Sequence, residues 1–139
     1  MSVLLRFHVG GIGLALPTPM VAAVHAGRPV RRVPGLPAAA LGFVGQADEV
    51  LAVLDAAALV GTTSGMGDRP PIALVALAPP LVGMAIALET LPWISPSGTP
   101  AELPAGTGEF CRQADRDPRG DVHAIIDPAL LGRLLAAAH

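Results

Sequence analysis

Val3, Leu5, Phe7 and Val9 alternate with Leu4, Arg6 and His8. This period of two predicts a β-strand with Arg6 and His8 on one face. Gly10-Gly11 supplies a two-residue turn, and Ile12 to Leu16 returns as a second strand. Pro17 and Pro19 end it, since each removes a backbone donor. Met20, Val21 and Val24 form a short apolar patch ahead of a Gly27-Arg28-Pro29 loop and a Pro34-Gly35-Leu36-Pro37 corner. The run Ala40-Leu41-Gly42-Phe43-Val44 then reads as a strand, Gly45 to Glu49 as a polar hairpin tip, and Val50 to Asp55 as the returning strand, followed by a short helical cap. Residues 61–71 (GTTSGMGDRPP) form a connector rich in glycine and proline.

The second half echoes this outline loosely. Ile72 to Leu77 and Leu81 to Leu88 read as buried strands around Ala78-Pro79-Pro80, and Leu91, Trp93 and Ile94 extend the sheet. Residues 95–109 read as a loop, and Val122 to Ile126 as one more strand. Asp127-Pro128 opens a helix, with Asp accepting from free amides and Pro suited to the first helical position. Leu130, Leu131, Leu134 and Leu135 make its apolar face, with Arg133 opposite. Trp93 and this leucine face are expected in the core. Many short strands separated by turn signals predict an all-β protein with a C-terminal helix.

Composition narrows the class. Hydrophobic residues make up 52% of the 139 and charged ones 14%, and the mean hydropathy is +0.57. The membrane question therefore arises, at residues 12–24 and 72–94. Pro17 and Pro19 interrupt the first stretch, and Pro79-Pro80, Gly83 and Glu89 interrupt the second, so no membrane insertion is expected. The net charge is −2. Arg28, Arg31 and Arg32 are the densest basic cluster, and no aromatic stacking platform accompanies them. Nucleic acid is accordingly not an expected partner. One cysteine, Cys111, rules out an intrachain disulfide and fits a reducing, cytoplasmic setting.

Candidate chemistry is sparse. Gly10, Gly11 and Gly13 follow a strand, but Leu16 and Pro17 stand where a dinucleotide loop needs glycine and helix. Asp115, Asp117 and Asp121 suggest a calcium loop, yet Ile126 occupies the position of the closing glutamate. A small sensory or metal-binding domain using the 109–123 loop is kept as the alternative reading. Cys111, His123 and Asp121 could form a nucleophile, base and orienting group, although no nucleophile motif surrounds the cysteine. His8, His25 and His139 lack metal-ligand spacing. No catalytic residues, cofactor or metal are expected, and the chain reads as a non-enzyme.

Taken together, these segments resemble the CheW-like domain, the adaptor module of bacterial chemosensory arrays, over roughly residues 3–135. Ala15-Leu16-Pro17 followed by Val21-Ala22-Ala23-Val24 resembles the family's Ala-Ile-Pro and Val-x-Glu-Ile. Val33-Pro34-Gly35-Leu36-Pro37 and Gly42-Phe43-Val44 are similar to its Val-Pro-x-x-Pro corner and Gly-Val-Ile strand. Ala52-Val53-Leu54-Asp55-Ala56, Val60-Gly61, Val82-Gly83-Met84 and Ile125-Ile126-Asp127 with Leu130-Leu131 follow in the family's order. The resemblance implies two intertwined five-stranded SH3-like β-barrels in a single domain, 1–139. The first barrel would run over about 12–71, and the remainder with the N-terminal strand would make the second. It also implies a scaffold that couples the cytoplasmic tip of a chemoreceptor to the regulatory domain of a CheA-type histidine kinase. Partner-contact positions carried over by the resemblance are Val21, Ala23, Val24, Gly42, Gly45, Ala47 and Asp48. The family's Asn-Leu-Arg-Gly tip is Gly45-Gln46-Ala47-Asp48 here, so its arginine is Ala47. That departure points to altered partner specificity.

Overall fold

The structure is a computed structural model that describes residues 2–33, 40–46, 48–61, 69–107 and 109–137, without the side chains of Leu134, Ala136 and Ala137. Among the described residues, twelve strands form two sheets. In the first sheet, β1 (Val3–Val9) pairs with β2 (Ile12–Pro17) through the Gly10-Gly11 turn, whose φ angles of 54° and 83° are the left-handed values a two-residue hairpin requires. β9 (Trp93–Pro96) pairs with the other side of β1. β12 (Val122–Ile126) runs parallel to β2 and antiparallel to β11 (Cys111–Arg116), and β10 (Thr99–Ala101) closes that side. The order is β10-β11-β12-β2-β1-β9.

The second sheet holds β3 (Val21–Ala26), β4 (Arg31–Arg32), β5 (Ala40–Gln46), β6 (Glu49–Asp55), β7 (Ala73–Leu77) and β8 (Met84–Leu88) in the order β3-β7-β8-β6-β5-β4. Each sheet thus has six strands, one of them only two or three residues long (β4, β10), where five were expected. β2 belongs to the sheet of the N-terminal strand, and β7 and β8 belong with β3 to β6, because β6 takes β8 as its parallel neighbour. The corner 34–37 and most of the 61–71 connector lie outside the described residues.

Period-two burial explains how the sheets stack. Leu5, Phe7, Val9, Leu14, Leu16, Ala124 and Ile126 of the first sheet meet Val75, Leu77, Ile86 and Leu88 of the second in one core. The helices α1 (Ala56–Leu59) and α2 (Pro128–Ala137) cover its ends. Each starts at the expected aspartate: Asp55 Oδ1 accepts from Ala57 N at 3.0 Å, and Asp127 Oδ1 from Ala129 N at 2.9 Å. Leu131 is fully buried, with Leu130 and Leu135 packed beside it. The opposite face of the second sheet has its own apolar filling of Val44, Leu51, Val53, Leu74, Ala76, Ala85 and Ala87. The corresponding face of the first sheet is filled differently.

Candidate functional site

Arg6 points to the side of β1 away from the shared core and is completely buried. A buried guanidinium is tolerated only when its donors are used. Here Nε donates to Ser95 Oγ, and Nη2 donates to Pro96 O at 3.0 Å and to Asp115 Oδ1, which also makes an ion pair with it. Nη1 lies 3.1 Å from Nδ1 of His123, itself fully buried. The second oxygen of Asp115 accepts from Gly98 N at 2.7 Å. Gly98 lets that turn approach, since a Cβ there would meet the Arg116 carbonyl oxygen at 1.9 Å. The cluster therefore ties the β9–β10 turn to β1, β11 and β12.

The imidazole of His123 rests against the rings of His8 and Trp93, with centroids 5.3 and 5.4 Å away. Trp93 is only half-buried in this ring cluster and does not belong to the apolar core, which corrects the expectation from sequence. Burial first, and the neighbouring Arg6 charge second, push the His123 pKa below its ordinary value. The cluster holds charges and a base, but Arg6 and Asp115 are engaged with one another and with their neighbours, and together with His123 they are shut away from solvent. It is suited to closing the barrel.

Two alternatives raised by the sequence fail on geometry. Cys111 belongs to the shared core, whereas His123 faces the other side of the same sheet, so they cannot act on one substrate. Burial, then the Asp127 charge, pushes the Cys111 thiol up to about 12. In the 109–123 loop, Asp115 is committed to Arg6, and Asp117 Oδ1 accepts from Arg119 N and Asp121 N at 2.9 and 3.0 Å. These loop amides hold the Asp117 carboxyl below the usual carboxylate range against the opposing effect of burial. Among the described residues no three His, Cys, Asp or Glu converge as a metal site.

The partner-contact positions fall at two edges of the second sheet. On β3, Val21 and Ala23 are half-buried and packed against the cores, while Val24 is 46% exposed. Gly42 is buried where β4 pairs with β5, and a Cβ there would meet the Arg31 carbonyl oxygen at 2.0 Å. Gly45 and Asp48 are exposed at the β5–β6 hairpin, and Ala47 lies outside the described residues. The loop between β3 and β4 links the two edges, for Arg28 Nη1 donates to Gly45 O at 2.7 Å. Sequence reasoning missed the apolar surface beside this tip: Phe43 (38% exposed), Val50 (68%) and Val82 (68%). Its signal was the failure of strict alternation at Glu49-Val50-Leu51.

No family model matches the sequence, and no curated protein matches it. Among solved structures, the chain is similar to the scaffolding protein TtCheW from Thermoanaerobacter tengcongensis, with a TM-score of 0.73 at 12% sequence identity. The match covers 91% of this chain and 88% of that one. The fold is CheW-like, with two SH3-like barrels and a C-terminal helix.

Proposed function

We propose that this chain is a non-enzymatic adaptor of a bacterial chemosensory pathway, coupling the cytoplasmic tip of a chemoreceptor to the regulatory domain of a CheA-type histidine kinase. The observation that carries the reading is the similarity, along nearly the whole chain, to a protein described as a scaffold. Exposed aliphatic side chains beside the β5–β6 tip support it, because such a surface gains by being covered. Val21, Ala23, Val24, Gly42, Gly45, Ala47 and Asp48 are the proposed contact positions, with the protein acting in the cytoplasm. Among the described residues no helix is long and apolar enough to cross a membrane. The test is interferometry with the full chain immobilised and the two candidate partners, a kinase regulatory domain and a receptor-tip fragment, in solution. Binding of both, separately and together, is expected. Failure of both to bind at ~100 μM, where a contact worth ~5.5 kcal/mol would register, overturns the reading.

A further inference from the structure

The face of the second sheet that turns toward the shared core carries a row of cross-strand partners, Arg31 on β4, Phe43 on β5, Ala52 on β6 and Met84 on β8. Paired side chains on one sheet face stand about 5 Å apart, so the row is a continuous strip. Its Met84 end packs against the shared core. One step toward the hairpin tip, Gly45 pairs with Val50. Nothing lies within 4 Å of where a Gly45 Cβ would stand, so the backbone there is open beside the exposed Phe43 and Val50. The turn before β8 adds Val82, held alongside β6 because Ala52 N donates to Gly83 O at 2.8 Å. The strip is thus an exposed apolar shelf.

Charge is distributed unevenly around that shelf. Arg31 is exposed along the β4 side, and Arg28 is held there by its bond to Gly45 O. Asp48 and Glu49 occupy the hairpin end. A nucleic acid or an anionic lipid surface would bring phosphates to the acidic end as well as to the arginines, so a polyanion fits poorly. A short protein segment with an apolar side chain over Phe43 and Val50, and its carboxylates confined to the arginine side, fits this uneven distribution.

We infer that the shelf around Gly45 binds an acidic, apolar-anchored protein segment, oriented with its carboxylates toward Arg28 and Arg31. This inference rests on the adaptor reading for its biological setting, and it gives the partner segment a chemistry and a direction. Both aspects are measurable without the natural partner.

The experiment records amide shifts of the full-length protein on adding two capped peptides, Leu-Glu-Phe-Glu-Leu-Glu and Leu-Lys-Phe-Lys-Leu-Lys. The acidic peptide is expected to shift residues 43–46, 50–52 and 82–84, and the lysine peptide is not. Arg31→Glu and Val50→Glu, both at exposed positions, should each weaken the acidic peptide about tenfold. Arg31→Lys should keep most of the binding, and the melting temperature should stay unchanged in all three. Equal shifts from both peptides, no shift at the shelf, or shifts that survive both glutamate variants overturn the inference. So does concentration-dependent self-association that occupies the same residues. The two readings separate cleanly. If the acidic peptide seats while neither kinase nor receptor fragment binds, the adaptor reading falls alone. If those fragments bind away from an unresponsive shelf, the shelf assignment falls alone.

Discussion

Arg6 and His123 meet on the inner side of the sheet that holds β1 and β12, with Nη1 3.1 Å from Nδ1. Arginine has only donors, so Nδ1 must present its lone pair, and the imidazole is neutral with its proton on Nε2. Among the described residues that Nε2 has no hydrogen-bond partner. A second proton on this ring would set N–H against N–H and place a new cation beside a buried guanidinium. The contact therefore records one protonation state.

A pH dependence follows. Burial and the Arg6 charge, aided by His8, hold the His123 pKa below its ordinary 6.5, while the more distant Asp117 and Asp121 pull it upward without prevailing. The unfolded chain then takes up the proton more readily than the folded one. The stabilisation is complete above about pH 6.5 and declines as pH falls from there toward the folded-state value. Urea midpoints should drop between pH 7.5 and 5.5, and His123→Phe should flatten that slope. A His123 ring resonance titrating at or above 6.5 in the folded protein would contradict the assignment.

The Arg6–Asp115 pair makes a second expectation. Removing one member leaves the other charged and buried, a change that costs about 3–5 kcal/mol. Arg6→Leu and Asp115→Leu should each cause losses of that size in denaturant unfolding. The double variant should lose much less than the sum, because no orphan charge remains. Additive losses would mean that the two side chains are not coupled.

The same cluster shows which parts of the molecule can be read from sequence. Strands β1, β2, β5 to β8 and β12 announce themselves by apolar runs, and α2 by Asp127-Pro128 and its leucines. β11 does not, because the residue it sends into the barrel is Asp115, so Cys111-Arg-Gln-Ala-Asp-Arg116 lacks an alternating pattern. Its complement, Arg6, lies 109 residues away on the face of β1 that it shares with His8. Charge pairs at such separation leave no local signature. The contact positions fared in between: Gly45 and Asp48 are at an exposed tip, but Val50 and Val82 became visible only once the strands were paired.

Gly13 is another position that only the structure explains. It stands beside His123 across the parallel β2–β12 pairing, and a Cβ there would meet Val122 O at 2.6 Å and His123 Cδ2 at 2.9 Å. One of these atoms is backbone and the other belongs to a ring fixed by Arg6. Gly13→Ala should therefore destabilise by about 1–3 kcal/mol, the usual cost of overpacking. Gly120→Ala serves as the comparison, since nothing crowds its Cβ and only its left-handed φ of 93° is strained. Restoration of Gly13→Ala by His123→Ala would assign the clash to the ring, and persistence of the loss would assign it to the Val122 carbonyl.

The single thiol provides the last expectation. Cys111 is 6% exposed in the shared core, beside Ile126 of β12, and its pKa is pushed up to about 12 from 9.0. Only the thiolate attacks a disulfide reagent. At pH 8 the raised pKa lowers the thiolate fraction about a thousandfold relative to an ordinary cysteine. Burial blocks the reagent as well. Labelling of the native protein by an aromatic disulfide should consequently proceed only as fast as the core opens, and should become rapid and stoichiometric in denaturant. Its rate should rise in Arg6→Leu and Gly13→Ala in step with their lost stability. Rapid stoichiometric labelling of the folded wild type would show that β11 does not hold Cys111 in the core.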